Sequence, residues 1–285
     1  MSDIADALRV TDPNFDLSSI DPQSTPAYDG KKADGEDDLA DGADHLSELQ
    51  ERLFASSKAG STRSVLLMIQ GMDTAGKGGI VRHVVGQVDP QGVQITGFKA
   101  PTDEEKQHDF LWRIRKAVPE PGMIGVFDRS QYEDVLIHRV HGWADEEELE
   151  RRYAAIADFE KELHESGTVL IKVMLHISRE EQGERLLERL DRPDKHWKFN
   201  PGDIDEREHW DAYQHAYQLA IQKTTTDASP WHVVPANRKW FARLAVQHLL
   251  TDALESISPE WPKADFNVKS ERERLIATGD VPEAE

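Results

Sequence analysis

Gln70 to Val81 reads QGMDTAGKGGIV, and the reading of this stretch decides the fold. Gly71, Gly76 and Lys77 stand in the register of a phosphate-binding P-loop, G-x-x-x-x-G-K-[ST]. Gly78 takes the place of the Ser or Thr that ligates magnesium in that loop. A short apolar run, SVLLMIQG, comes before it, and a helical pattern from about Lys77 to Gln87 follows. Strand, glycine turn and helix together aim backbone N–H groups and the positive end of a helix at an anion. Lys77 is then placed to reach terminal phosphoryl oxygens, with Gly71, Gly76 and Gly78 in the cradle. Asp73 is unexpected there, because a carboxylate repels phosphate unless a cation or an acceptor hydroxyl lies between them. It is a candidate for the metal contact or acceptor positioning that the missing hydroxyl cannot supply; the plainer alternative is a helix cap.

Outward from the loop, strand and helix patterns alternate. VQITGF (93–98), MIGVFD (123–128), TVLIKVMLHIS (168–178) and WHVVPA (231–236) read as further strands. Helices are predicted from His45, over 103–118, 132–140, 145–166, 180–190 and 205–226, and from WHVVPA to about Ile257. The fold class expected is α/β, a doubly wound parallel five-stranded sheet flanked by helices. The third strand ends in VFDRSQYED, an apolar strand closed by Asp in the Walker B manner, so Asp128 is a candidate magnesium ligand. Arg129 lies at the carboxyl end of the sheet, where it is placed to clamp a phosphate. Glu133 is either a further metal ligand or an ordinary helix-start carboxylate. RLLERLDRPDKHWKF concentrates Arg185, Arg189, Arg192, Lys195 and Lys198, with Pro193 breaking the helix. That suits a basic lid over about 180–205, with a salt-bridged surface helix as the alternative. Arg82, Lys99 and Arg113 face either the cleft or solvent.

The chain has 285 residues, 31% charged and 38% apolar, with a formal charge of −20. That balance excludes broad nucleic-acid binding and confines any polyanion site to a local basic patch. Residues 1–48 carry 13 Asp/Glu against 3 Lys/Arg, a net of −10. Residues 1–44 read as a flexible or loosely draped acidic arm, or as an arm packed on its own domain or a partner subunit. A domain over 45–258 and a tail over 259–285 complete the division. No cysteine is present, so thiolate metal sites and disulfides are excluded. The histidines show neither H-x-x-x-H nor H-E-x-x-H spacing, and no apolar run is long enough to span a membrane; a cytoplasmic location is expected.

Five ordered stretches, QGMDTAGKGG, GFKAPTDEE with FLWRIRKAVP, GVFDRSQYEDVLIHRVHG, KHWKFNPGDI with W..Y, and PWHVVPANRKW, resemble the second family of polyphosphate kinases. The likeness runs from about Leu46 to Leu254 and is nearest the polyphosphate:nucleotide phosphotransferase branch. The resemblance implies a P-loop kinase fold akin to thymidylate kinase, with a helical lid. It implies transfer of a terminal phosphoryl group between inorganic polyphosphate and AMP or ADP, yielding ADP or ATP, reversible in principle. The metal implied is Mg2+, with Mn2+ as a substitute, and the assembly a homodimer or homotetramer. Asp73, Lys77, Asp128 and Arg129 match the catalytic positions, with Asp73, Asp128 and Glu133 as the metal set. Asp73, Arg113 and Arg129 are expected at the nucleotide. Lys77, Arg82, Lys99, Arg185, Arg189, Lys195 and Lys198 are expected along the phosphates. Two departures stand out: GKGG in place of that branch's GKDG, and Asp128 where the branch often has Asn. They bear on the choice between AMP and ADP. An ATP-dependent small-molecule kinase and a non-catalytic nucleotide-binding protein are the competing readings.

Overall fold

The computed structural model describes residues 3–279; Met1, Ser2 and residues 280–285, the outermost parts of the expected arm and tail, lie outside them. Five strands, β1 (Ser64–Gly71), β2 (Val93–Gly97), β3 (Ile124–Asp128), β4 (Thr168–His176) and β5 (Trp231–Pro235), form one sheet in the order β2-β3-β1-β4-β5. Every pairing is parallel, with Ile69 opposite Asp128 on one side of β1 and Val173 on the other. β1 is buried along its whole length, which is why its sequence is continuous apolar residues rather than an alternation. The chain crosses from β1 out to the edge strand β2 and then runs back through β3 to β4 and β5, and crossovers of one hand in these two opposite directions put helices on both faces. The helix Lys239–Ile257 covers one face, packed on β1, β4 and β5, and Glu146–Glu165 packs on β4.

Three expectations change. Residues 103–118 are not one helix. Thr102 and Glu105 cap each other's backbone N–H, His108 is extended, and only Leu111–Arg115 is α-helical. The charged stretch before Phe110 has no apolar face to bury, so nothing holds a helix on the body there. The helix predicted over 205–226 is two, Gly202–Glu208 and Trp210–Thr224, interrupted at His209. The acidic N-terminal segment is docked rather than flexible over its described residues. Ile4, Ala5, Leu8, Val10 and Leu17 are buried, the Val10 N–H donates to Trp231 O at 2.8 Å, and Arg9 pairs with His232 in an isolated antiparallel bridge. A few apolar side chains among many acids suffice, because the acids stay on the outer face. Beyond the buried Pro259 the described chain is largely exposed, and its helix Val268–Ala277 buries no residue.

Candidate active site

The loop after β1 turns at Gly76, whose φ of 116° lies in the left-handed region open to glycine. The helix Lys77–His83 then starts with its amino end at the loop. A Cβ at Gly78 would meet nothing within 4 Å. The place of the usual hydroxyl is therefore open space beside the loop rather than a spot closed by packing. Lys77 folds back, its Nζ donating to Gly71 O at 2.7 Å and Met72 O at 3.4 Å. Burial pushes its pKa down, against the opposing pull of the Asp73 carboxylate.

The end of β3 delivers Asp128 and Arg129. Arg129 holds a left-handed backbone, φ 66°, and Thr74 in the loop does the same at 65°. Such strain costs about 1–2 kcal/mol per residue and is concentrated at functional positions. It is sustained by what surrounds it: Arg129 N–H donates to Ile69 O, and Ser130, Gln131 and Tyr132 behind it are wholly buried. The Arg129 guanidinium donates to Asp73 Oδ1 at 3.2 Å and lies 3.7 Å from Glu133.

Two cavities meet at this point. The larger, of about 600 Å³, is lined by Asp73 to Gly79, by Asp128 and Arg129, by the lid segment, and by Lys239 and Arg243. Nine Lys/Arg side chains face four Asp/Glu there, the local basic patch that the −20 charge of the chain demands. The smaller, of about 240 Å³, shares Asp73, Arg129 and Asp203 and adds Glu133, Glu206, Leu136, Ile137, Asn200, Tyr213 and Tyr217. Burial, aided by the bond it donates to Glu206 at 2.6 Å, lifts the Tyr213 hydroxyl far above its ordinary pKa, so it stays a donor.

Of the residues singled out from the sequence, Asp73, Gly76, Lys77, Gly78, Arg82, Asp128, Arg129, Arg185, Arg189, Lys195 and Lys198 all line the larger cavity. Gly71 and Glu133 line the smaller one. Lys99 and Arg113 line neither. Arg113 is spent on structure, donating to Lys99 O at 2.7 Å and lying 3.5 Å from Asp134, and Lys99 is exposed on the far side of that contact. Glu133 sits half-buried beside the Gln70 amide, and burial raises its pKa. Among the described residues no three His, Cys, Asp or Glu side chains converge as a metal cluster, so Asp73, Asp128 and Glu133 do not form a closed ligand set. Of these three, only Asp73 and Asp128 line the phosphate-side cavity, which Glu188 and Asp203 line as well. Two carboxylates suit a hard cation that takes its remaining ligands from phosphate and water. The segment expected as a lid consists of the helix Arg179–Asp191, a tight turn over Pro193–Lys198 and the helix Gly202–Glu208. Sequence reasoning missed Arg243, Lys239, Asp203 and the two tyrosines. Lys239 lies inside the PWHVVPANRKW stretch, but nothing local marks which face of the last helix looks back at the loop.

A P-loop at the point where a doubly wound sheet changes direction, under a basic helical lid, defines a P-loop kinase-like phosphate-binding protein. The comparisons narrow this. The family model "Polyphosphate kinase 2 (PPK2)" matches residues 29–262, and the chain belongs to that family. It is similar to the crystal structure of polyphosphate kinase 2 from Arthrobacter aurescens TC1, with 62% identity and a TM-score of 0.95 over 97% of both chains. It is 41% identical to the AMP/ADP-polyphosphate phosphotransferase of Meiothermus ruber over 254 residues, 89% of this chain and 94% of that one. It is also 41% identical to the ADP-polyphosphate phosphotransferase of Rhodopseudomonas palustris over 260 residues, 87% of this chain and 88% of that one. No helix among the described residues is long and apolar enough to cross a membrane.

Proposed function

We propose that this protein transfers a terminal phosphoryl group from inorganic polyphosphate to AMP and ADP, with Mg2+. The observation that carries the reading is the cavity of nine cationic side chains around a P-loop in a chain of charge −20. A single nucleotide does not need so long a basic lining, whereas a repeating polyanion does. The names of the relatives agree with it.

In this reading polyphosphate lies along Lys77, Arg82, Arg189, Lys195, Lys198 and Arg243. The acceptor's terminal phosphate meets its end phosphorus beside Arg129, where the two cavities join. The nucleoside takes the smaller cavity, where Leu136, Ile137, Tyr213 and Tyr217 offer apolar surface and Glu133, Glu206 and Asn200 accept from hydroxyls or an amine. An acceptor phosphate oxygen bonds to the terminal phosphorus as the bridging P–O bond to the rest of the chain breaks. Arriving phosphate draws Lys77 off the two loop carbonyls, and fixed cations then hold the spread charge of the transferring group. Asp73 and Asp128 would hold Mg2+, which neutralises phosphate charge. The resemblance further supports a homodimer or homotetramer and a cytoplasmic location.

The test offers purified protein, Mg2+ and long-chain polyphosphate with AMP and ADP in separate reactions. ADP from the first and ATP from the second are expected. No product from either, with ATP serving as donor to another acceptor, would move the protein to the ATP-dependent kinases.

A further inference from the structure

Arg185 stands among the cationic residues of the basic cavity, but its guanidinium has nothing left to give. Its side chain is 5% exposed. Nε donates to Glu181 at 2.7 Å, Nη1 to Thr74 O at 2.9 Å and Ala75 O at 3.0 Å, and Nη2 to Ala236 O at 2.6 Å and Asn237 O at 3.0 Å. All five N–H donors of an arginine are thereby used. One turn earlier on the same helix, Gln182, 1% exposed, donates to Asp73 O at 3.3 Å and accepts from Arg207 at 2.9 Å. Lys77 holds Gly71 O and Met72 O from the other side. Five consecutive carbonyls of the loop, residues 71 to 75, are thus gripped by three side chains.

In a planar trans peptide the C=O and N–H point opposite ways. A carbonyl held by the lid helix turns the next residue's N–H away from that helix. Of the three peptides held by Gln182 and Arg185, the Ala75 N–H is spent on Met72 O at 3.0 Å. Those of Thr74 and Gly76, both cavity-lining residues, are set by the grip. The grip extends to β5: Asn237, whose carbonyl Arg185 holds, accepts the Ser178 N–H at 2.9 Å through its side chain. Arg189 differs. Four residues on and 25% exposed, it keeps an ion pair with Asp203 at 3.2 Å and one bond to Lys198 O, with donors to spare.

We infer that Gln182 and Arg185 are positioning residues of the phosphate loop. They hold the carbonyls of Asp73, Thr74 and Ala75, set the loop amides that receive phosphate, and Arg185 is not itself a phosphate ligand. The inference rests on the reading of the basic cavity as the polyphosphate site.

Arg185→Lys keeps the charge and loses the five-donor fork. It is expected to lower kcat about 100-fold through loop misplacement, while KM for polyphosphate stays near the wild-type value. A preserved kcat with a raised KM would instead make Arg185 a phosphate ligand and overturn the inference. Gln182→Glu is isosteric, keeps the Arg207 partner and sets a carboxylate against Asp73 O. The same fall in kcat at unchanged KM is expected, and wild-type kcat would overturn the inference even if the arginine variant fails to fold. If the wild-type protein shows no polyphosphate activity, the reading of function fails separately. Hydrogen exchange of the amides of residues 73–77 then decides: faster exchange in the Gln182→Glu variant than in wild type supports the grip, and equal exchange refutes it.

Discussion

The basic cavity and the interior around Lys172 handle charge in opposite ways. Lys172, on β4, is 0% exposed, and its Nζ reaches Glu160 at 2.7 Å, Thr224 O at 2.8 Å and Tyr132 Oη at 3.3 Å. Glu160, 2% exposed, accepts besides from Tyr132 and Ser229. In the cavity, Arg129 is 40% exposed, its nearest acids are 3.2 and 3.7 Å away, and cations outnumber acids nine to four. Charges that fix the fold complete one another. Charges that do the chemistry are held short of partners, so that a phosphate completes them.

Changing one residue from each cluster should separate activity from stability. Lys77→Met removes a donor to the transferring group and should cost about 100- to 1000-fold in kcat. Its melting temperature should hold or rise, because burial already disfavours that ammonium. Asp73→Asn should be equally inactive, and near-normal turnover would break the assignment of that carboxylate. Lys172→Met leaves Glu160 buried without its cation and should cost about 3–5 kcal/mol of stability by denaturant unfolding, with kcat per folded molecule retained. A stable Lys172→Met variant would dissolve the contrast.

The interior should also govern the acid limb of stability. Burial lowers the pKa of His176 and of His232 from 6.5 to about 4. The unfolded chain therefore takes up protons at these rings below pH 6.5, whereas the folded chain does so only near pH 4. Stability from both is full above that window and falls as pH drops through it, by up to about 3 kcal/mol for each ring. Unfolding curves above and below the window check this, and His176→Gln should flatten the slope. The smallest effect belongs to the lid. Arg189→Ala should raise KM for polyphosphate about tenfold, the worth of one charge-assisted contact, and leave kcat alone. A fall in kcat there would make Arg189 part of the loop grip.

Legibility followed locality. β1 was readable to the residue, and the other strands to within two; β1, β3, β4 and β5 are buried nearly throughout and read as apolar runs, whereas the part-exposed edge strand β2 reads as VQITG between turns. Gly71, Gly76, Lys77 and Asp128 were readable because sequence adjacency places them at strand ends. The docking of residues 3–17 was not, since isolated apolar residues such as Leu8 and Leu17 announce no periodicity, and the Leu17 N–H finds its acceptor, Gln218, 201 residues away. The bonding of Arg113 and Arg185 was not legible for one reason. Their composition and helical position suit a phosphate site, and only the carbonyls of Lys99, Thr74, Ala75, Ala236 and Asn237 around them show that their donors are taken.

The sequence by itself determined the sheet, the loop, the carboxylates at its rim and the family, because each is encoded in a contiguous run whose pattern or geometry is local. Only the tertiary structure decided which cations are free to meet phosphate and which brace the loop, and where Glu133 and the tyrosines sit. Those outcomes depend on hydrogen bonds between residues far apart in the chain, and a guanidinium's donors are counted by its neighbours, not by its motif.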